Sequence, residues 1–226
     1  MKENKKRWIL AGIAAVLLIF IIVATLMYRN NKAKPQDEEA ALASYLIEQD
    51  SIMTNMVNSM EITPTTNADL DFLYGMISHH KAAIEMSKNY LNTEGSNRKL
   101  KKIAKTMIKK QTKEISEMQK TAARLEQSGI SDTATEEAYL SAYNEIMSKP
   151  HYLEHGTDTS QNIDQAFAEG MIMHHEMAVE IALAILTNST NDDIHNYADN
   201  ILKMQEEEIS TLKTAFYLQE ASTAGN

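Results

Sequence analysis

Two short stretches of the chain carry methionine and histidine in the same order and at the same spacing. Residues 69–86 read DLDFLYGMISHHKAAIEM and residues 164–181 read DQAFAEGMIMHHEMAVEI, and nine of the 18 aligned pairs are identical. Each stretch contains Gly-Met, two further residues and a His-His pair. Imidazole nitrogen and thioether sulfur together favour copper over Mg²⁺, Ca²⁺ or Mn²⁺, and the softer sulfur favours Cu(I). The predicted ligands of Cu(I) or Cu(II) are Met76, His79, His80, Met171, His174 and His175.

Helical periodicity places the candidate ligands of each stretch on one face. At about 100° per residue, Met76, His79 and His80 share the face that carries the apolar Phe72. A lone histidine on such a face is usually a hydrogen-bonded core residue, and methionine is a common core filler. Two matched His-His pairs favour ligation instead, because burying polar groups is costly unless they have partners.

Further residues are predicted to support or extend this site. Four carboxylates could orient the imidazoles by hydrogen-bonding the ring nitrogen that does not bind the metal. Four more methionines could supply additional thioether ligands. The carboxylates are Asp69, Asp164, Glu114 and Glu208, and the methionines are Met118, Met53, Met56 and Met60. The last three have i, i+3, i+7 spacing, which is also typical of ordinary core packing. His151 and His155 would share a face only if their segment is helical.

The repeat continues beyond these stretches and predicts two helical hairpins. Gln-x-x-Glu-Ile occurs at 111–115 and again at 205–209, so each unit is expected to contain a second helix after a short turn. The first hairpin repeat, 67–130, is predicted to pair helices 67–91 and 97–127, and the second, 162–220, to pair helices 162–187 and 191–220. Asn97 and Asn191 are predicted N-caps, and Gly95 and Gly129 predicted helix ends.

The hairpins predict the fold class. One hairpin cannot bury its apolar stripe alone, whereas two can bury theirs against each other. We therefore expect an all-α protein whose core is an antiparallel four-helix bundle with pseudo-twofold symmetry. Outside the two hairpins, residues 29–226 are predicted to comprise three further segments. These are a stem and Met-containing helix at 29–66, a connection at 131–161 with a helix at 134–148, and a tail at 221–226.

The N-terminal part of the chain predicts a membrane anchor. Residues 8–28 contain no charged side chain, and 21 helical residues rise about 30 Å, the thickness of a bilayer core. The basic segment 1–7 is expected to be a cytoplasmic tail, which makes the chain a single-pass protein of the cell membrane with its body outside. The alternative is a cleaved signal peptide, but its apolar region is normally shorter and precedes a small-residue cleavage site.

Composition narrows the function classes. The chain has no cysteine, which excludes a disulfide framework, a thiolate metal site and a cysteine nucleophile. Residues 35–226 carry 15 basic and 30 acidic side chains, and so acidic a body argues against a nucleic-acid partner. Methionine is abundant, with 14 in 226 residues, which adds to the supply of soft ligands.

The doubled motif resembles the bacterial family known as "domain of unknown function 305". Its hallmark, GM-x-x-HH-x-x-A followed by Q-x-x-E-I, matches GMISHHKAA with QTKEI and GMIMHHEMA with QEEEI. The resemblance covers roughly 67–220. It implies a ferritin-like helical bundle and, since some members are exported copper-binding proteins that contribute to copper tolerance, the same ligand role for the methionines and histidines of the motif.

These observations predict a membrane-anchored, extracytoplasmic copper-binding protein that sequesters or transfers the ion and is not an enzyme. Its expected partners are the copper ion, the lipid bilayer through 8–28, and a copper transporter or chaperone. One alternative is a di-metal carboxylate oxidase, although such bundles use Glu-x-x-His pairs and here methionine or isoleucine stands three residues before each histidine. Another is a metal-free structural or interaction ectodomain.

Overall fold

The computed structural model describes residues 36–93, 95, 97–153 and 160–223, which contain seven helices and no strand. The chain divides into two compact units, Met1–Leu42 and Ala43–Asn226, and the second contains both repeats. In chain order the helices are α1 (36–59), α2 (Ala68–Asn92), α3 (Arg98–Ser128), α4 (Thr133–Met147), α5 (Pro150–Leu153), α6 (Ile163–Leu186) and α7 (Asp192–Thr223). The all-α prediction is confirmed over these residues, and the helix predicted at 134–148 is α4.

Asparagine begins each of the four helices of the two repeats. The side chain of Asn67 accepts hydrogen bonds from the first backbone N–H groups of α2, and Asn97 does the same for α3. Asn162 accepts from Gln165 N at the start of α6. The Oδ1 atom of Asn191 accepts from Asp193 N at the start of α7. These bonds satisfy N–H groups that have no partner inside the helix and so fix where each helix begins.

The two glycines predicted to end helices have different roles. Gly129 caps α3 in the left-handed conformation, with φ of 63°, as predicted. The prediction for Gly95 was wrong, because α2 ends at Asn92 and is capped by Thr93. A Cβ atom on Gly95 would lie 2.6 Å from Cε2 of Tyr90 and 3.0 Å from Oδ1 of Asp164. Gly95 therefore permits a close approach between the end of α2 and the start of α6.

Helices α2 and α6 form the centre of the bundle. Helix α2 packs along α3, α6 packs along α7, and α2 and α6 pack against each other, whereas α3 and α7 touch only slightly. Helix α4 packs on both α2 and α6. The inner faces of α2 and α6 are therefore covered along most of their length, and a groove is left between α3 and α7.

No helix in the described part of the chain is long and apolar enough to cross a membrane. The anchor predicted at 8–28 and the cytoplasmic tail predicted at 1–7 lie outside the described residues. So do the first residues of the stem, 29–35, and His155.

Candidate metal centre

The two His-His pairs meet where α2 and α6 cross. The rings of His79 and His174 lie face to face with centroids 3.6 Å apart and planes inclined by 33°. The ring of His80 lies 6.0 Å from that of His79, and the ring of His175 lies 5.7 Å from that of His174. All four side chains are fully buried. The order His80, His79, His174, His175 makes a continuous four-imidazole row inside the bundle.

The central pair is held by reciprocal contacts with the backbone. The Nε2 atom of His79 lies 2.8 Å from the carbonyl oxygen of His174, and Nε2 of His174 lies 3.1 Å from the carbonyl oxygen of His79. A carbonyl oxygen only accepts hydrogen bonds, so each Nε2 must carry a proton and donate it. In the neutral ring this leaves a lone pair on Nδ1 of each histidine.

The outer histidines face carboxylates on the second helix of their own hairpin. The Nε2 atom of His80 lies 3.1 Å from Oε2 of Glu114 on α3, and Nε2 of His175 lies 3.3 Å from Oε2 of Glu208 on α7. Glu114 is thus within hydrogen-bond distance of His80, Glu208 is an ion-pair neighbour of His175, and the orienting role of both carboxylates stays a prediction. Glu208 also accepts a 3.3 Å hydrogen bond from Nζ of Lys110, which lies on α3.

All four Nδ1 atoms of the row are buried and have no hydrogen-bond partner among the described residues. Histidines that bind a metal typically direct their other ring nitrogen to a carboxylate or backbone carbonyl, which fixes the tautomer and orients the ring. In the row, the Nε2 atoms of His79, His80 and His174 lie within hydrogen-bond distance of such an oxygen. The Nε2 atom of His175 lies 3.3 Å from Oε2 of Glu208, but neither atom has a hydrogen-bond partner among the described residues. The four Nδ1 atoms are therefore available as ligand atoms.

Burial keeps the central imidazoles neutral. Desolvation lowers the pKa of His79 well below its usual 6.5, and the neighbouring imidazole of His80 lowers it further. The pKa of His174 is lowered well below its usual value for the same reasons, with His79 as the nearest imidazole. Burial alone would raise the pKa of Glu208, but His175 and Lys110 outweigh it and hold that pKa below its ordinary value. Neutral imidazole is the form that binds metals.

Methionine is the ligand type that can complete such a site. Met76 and Met171 are fully buried, one turn before the histidines on the same helix faces. In the described part of the chain, no three side chains among His, Cys, Asp and Glu are grouped so that they could hold a metal ion. A site built from the row therefore needs thioether ligands beside its imidazoles.

The structure corrects the role predicted for Asp69 and Asp164. Asp69 accepts a 2.9 Å hydrogen bond from Nδ2 of Asn191. Asp164 accepts a 2.5 Å bond from the hydroxyl of Tyr90 and a 3.1 Å bond from the backbone N–H of Asn97. Both carboxylates lie ten residues before the row, about 15 Å along the helix, because an α-helix rises about 1.5 Å per residue. Asp69 joins the start of α2 to the start of α7, and Asp164 joins the start of α6 to the end of α2 and the start of α3. At that distance neither carboxylate can orient the imidazoles.

The structure places the remaining candidate ligands in different surroundings. Met53, Met56 and Met60 are all buried, and the carbonyl oxygen of Met60 accepts a 2.7 Å hydrogen bond from Tyr143. Their burial agrees with ordinary core packing. Met118 is buried on α3 and lines a cavity beside His80. His151 is exposed on the short helix α5.

Sequence reasoning missed the partners that secure this arrangement. Tyr90 and Asn67 lack a counterpart in the hallmark motif, and their roles depend on contacts with distant parts of the chain. Asn67, for example, accepts through its side chain at the start of α2 and donates to the carbonyl oxygen of Ile130, 63 residues away. A signal did exist for the caps, because asparagine precedes all four helix starts.

The fold and the row define a class of protein: a helical bundle made of two homologous hairpins that bury paired imidazoles where their first helices cross. The sequence model described as "Domain of unknown function (DUF305)" matches residues 25–122 and 124–216. The chain belongs to this family, as its resemblance predicted.

Solved structures described as CopM are similar to this chain. The structure described as "CopM in the Cu(II)-bound form" is similar over 67% of this chain and 97% of its own, with 26% sequence identity and a TM-score of 0.50. "CopM in the Ag-bound form (by soaking)" is 28% identical over 66% of this chain and 95% of its own, with a TM-score of 0.48. No curated protein sequence matches the chain.

Proposed function

We propose that the protein binds copper through the four-imidazole row and the two methionines that precede it. The observation that carries this proposal is the set of four buried Nδ1 atoms without partners, three of them on rings whose Nε2 lies within hydrogen-bond distance of an oxygen. Family membership and the similarity to CopM, whose structure is described as Cu(II)-bound, support the choice of copper. The proposed ligands are Met76, His79, His80, Met171, His174 and His175.

The donor set suits both oxidation states of copper in different ways. Imidazole nitrogen binds Cu(II) and Cu(I), whereas neutral thioether sulfur favours Cu(I). The side chains of the row are fully buried, so a bound ion would be shielded from water and from exchange with bulk ligands. Such a site is suited to sequestration or transfer of the ion, and we propose that role without a catalytic step.

The proposed location follows from the sequence of the N-terminal part. The uncharged span 8–28 would anchor the chain in the cell membrane, and the basic tail 1–7 would stay in the cytoplasm. The helical bundle would then lie outside, where it could receive copper from, or deliver it to, a transporter or chaperone. In this setting the protein would contribute to copper tolerance.

The carboxylates do not support the di-metal oxidase alternative. Glu114 and Glu208 each face one histidine, at opposite ends of the row. Asp69 and Asp164 are bonded to the other repeat instead. A di-iron or di-manganese site in a helical bundle needs several inward carboxylates around one pair of ions. These four lie at separate positions.

Metal analysis of the purified full-length chain tests the proposal. After equilibration with a mixture of copper, iron, manganese and zinc salts and removal of free ions, copper should be retained in preference to the others. The variant H80A/H175A should retain much less copper while its helical circular dichroism persists. Retention of iron or manganese would favour the oxidase alternative, and retention of no metal would favour a structural ectodomain. Either result would contradict the proposal.

A further inference from the structure

A cavity of about 320 Å³ lies in the groove between α3 and α7, directly beside the four-imidazole row. His80 and Glu114 form part of its wall, together with two methionines, Met118 from α3 and Met204 from α7. Met118 is 1% exposed, and Met204 is partly exposed to solvent. The cavity thus places two thioether side chains between solvent and the outer end of the row.

A buried amide in the same cavity has an unused acceptor. Gln205 lines the cavity and is 1% exposed, and its Oε1 atom has no hydrogen-bond partner among the described residues. Buried polar atoms are normally paired, so an unpaired oxygen on a residue that lines a cavity is available to a cation or a donor group. The Nδ1 atom of His80 is a second buried acceptor without a partner.

A second cavity lies at the pseudo-symmetric position of the same groove between α3 and α7, but different residue types line it. That cavity, of about 390 Å³, is lined by Glu208 and by Lys110 and Thr211. The repeats align at an offset of 94 in this region, so Lys110 occupies the position of Met204, and Leu212 that of Met118. The pseudo-symmetry of the fold is therefore broken at the two positions that supply sulfur.

We infer that the cavity beside His80 is a second binding site, for a soft monovalent cation such as Cu(I), with Met118 and Met204 as thioether ligands. Soft monovalent cations favour uncharged sulfur over carboxylate or water. The two lysines that also line the cavity are engaged in ion pairs, Lys110 with Glu208 at 3.3 Å and Lys113 with Glu117 at 3.4 Å. The inference rests on the proposed function, because the cavity would hold the ion next to the row.

The second cavity lacks the thioether ligands that a soft monovalent cation needs. Lysine at 110 and leucine at 212 stand where the first cavity has Met204 and Met118, so the second cavity has no thioether ligand at either position. The soft-cation site is therefore expected once per chain, at the His80 end of the row.

Methionine-methyl NMR with Ag(I) as the probe tests this site in the full-length chain, purified in detergent. Silver is a soft monovalent cation without redox chemistry under these conditions, and a thioether that binds it shifts its own ¹³C-methyl signal. The signals of Met118 and Met204, assigned from single Met-to-Leu variants, should shift together during the titration. In competition with a silver chelator, M118L/M204L should bind one equivalent less Ag(I) than the wild type.

The matched control is M86L/M177L, which removes two buried thioethers that line neither cavity. Its Ag(I) stoichiometry should equal that of the wild type, and Met-to-Leu swaps are well tolerated in cores. Shifts at Met76 and Met171 with unchanged signals at Met118 and Met204 would overturn the second site and leave the proposed function standing. No shift at any of the four would overturn both.

Discussion

The Nε2 atoms of His79 and His174 each lie within hydrogen-bond distance of the other residue's backbone carbonyl oxygen, at 2.8 and 3.1 Å. This reciprocal pair joins α2 to α6 at the centre of the bundle. It also fixes the tautomer that leaves Nδ1 available in both rings. The two histidines therefore have a structural role and a ligand role at once, and experiments must separate the two.

Acidification should destabilise the metal-free chain below pH 6.5. The pKa values of His79 and His174 are lowered in the folded state, so the unfolded chain binds more protons at acidic pH. Their contribution is complete above about 6.5, the unfolded value, and falls as the pH drops toward the folded pKa, by at most about 1.4 kcal/mol per pH unit for each histidine. Urea unfolding at pH 7, 6 and 5 measures this slope.

The control for this slope is the exposed histidine on α5. H151Q should keep the acid sensitivity, and H79Q/H174Q should lose most of it even if the variant is less stable at pH 7. Equal stability of the metal-free wild type at pH 7 and pH 5 would show that the central imidazoles are not held neutral by burial.

Replacing Asp71 with asparagine should stabilise the protein at neutral pH. Burial raises the pKa of Asp71 to about 6, and the nearby carboxyl of Glu136 contributes to the increase. A raised folded pKa means that the carboxyl costs stability as the pH rises from about 4 through 6. D71N should gain about 1 kcal/mol in the free energy of unfolding at pH 7 and little at pH 4. A loss of stability at pH 7 would contradict this account.

The contacts between the repeats should be unequal in strength. Asp164 accepts hydrogen bonds from Tyr90 and from the backbone of Asn97, whereas Asp69 accepts from Asn191. D164A should lower the free energy of unfolding by about 2–3 kcal/mol and D69A by about 1.5 kcal/mol, because Asp164 accepts two of these hydrogen bonds and Asp69 one, and a bond to a charged acceptor is worth about 1.5–3 kcal/mol. Neither variant should change copper affinity, because both carboxylates lie far from the row. A weaker copper site in D69A would return that residue to its originally predicted role.

The proposed topology predicts which part of the chain a protease can reach. The bundle should be digested when protease is added to intact spheroplasts, because the basic segment 1–7 retains the N-terminus in the cytoplasm. A protected bundle would contradict an exported body. Release of a soluble chain lacking residues 1–30 would indicate a cleaved signal peptide in place of an anchor.

The helices and the inward face of the motif could be predicted because they depend on local order. Helical periodicity placed Met76, His79 and His80 on one face, and the structure buries all three. The N-cap of α3 at Asn97 followed from residue type alone.

Contacts between distant segments could not be predicted in this way. Periodicity placed Asp69 and His80 on the same face, but the distance along the helix and the position of Asn191 decide what Asp69 contacts. Glycine is common at helix ends, and on that ground the sequence predicts that Gly95 ends a helix. In the structure, glycine is required at position 95 because a Cβ atom there would lie too close to the ring of Tyr90. The reciprocal contact of His79 and His174 depends on how closely α2 and α6 pack, which no spacing within either helix determines.

The central claim is tested most directly by competition titrations with Cu(I) and Cu(II) chelators on the wild type, H80A/H175A and M76L/M171L. The first variant leaves the His79–His174 contact in place and removes the outer imidazoles, so Cu(II) affinity should fall by at least about 10–100-fold. The second replaces thioethers with a side chain of similar volume, and Cu(I) affinity should fall more than Cu(II) affinity. If both variants bind copper as tightly as the wild type, the paired motifs serve only to pack the core, and the proposed function is wrong.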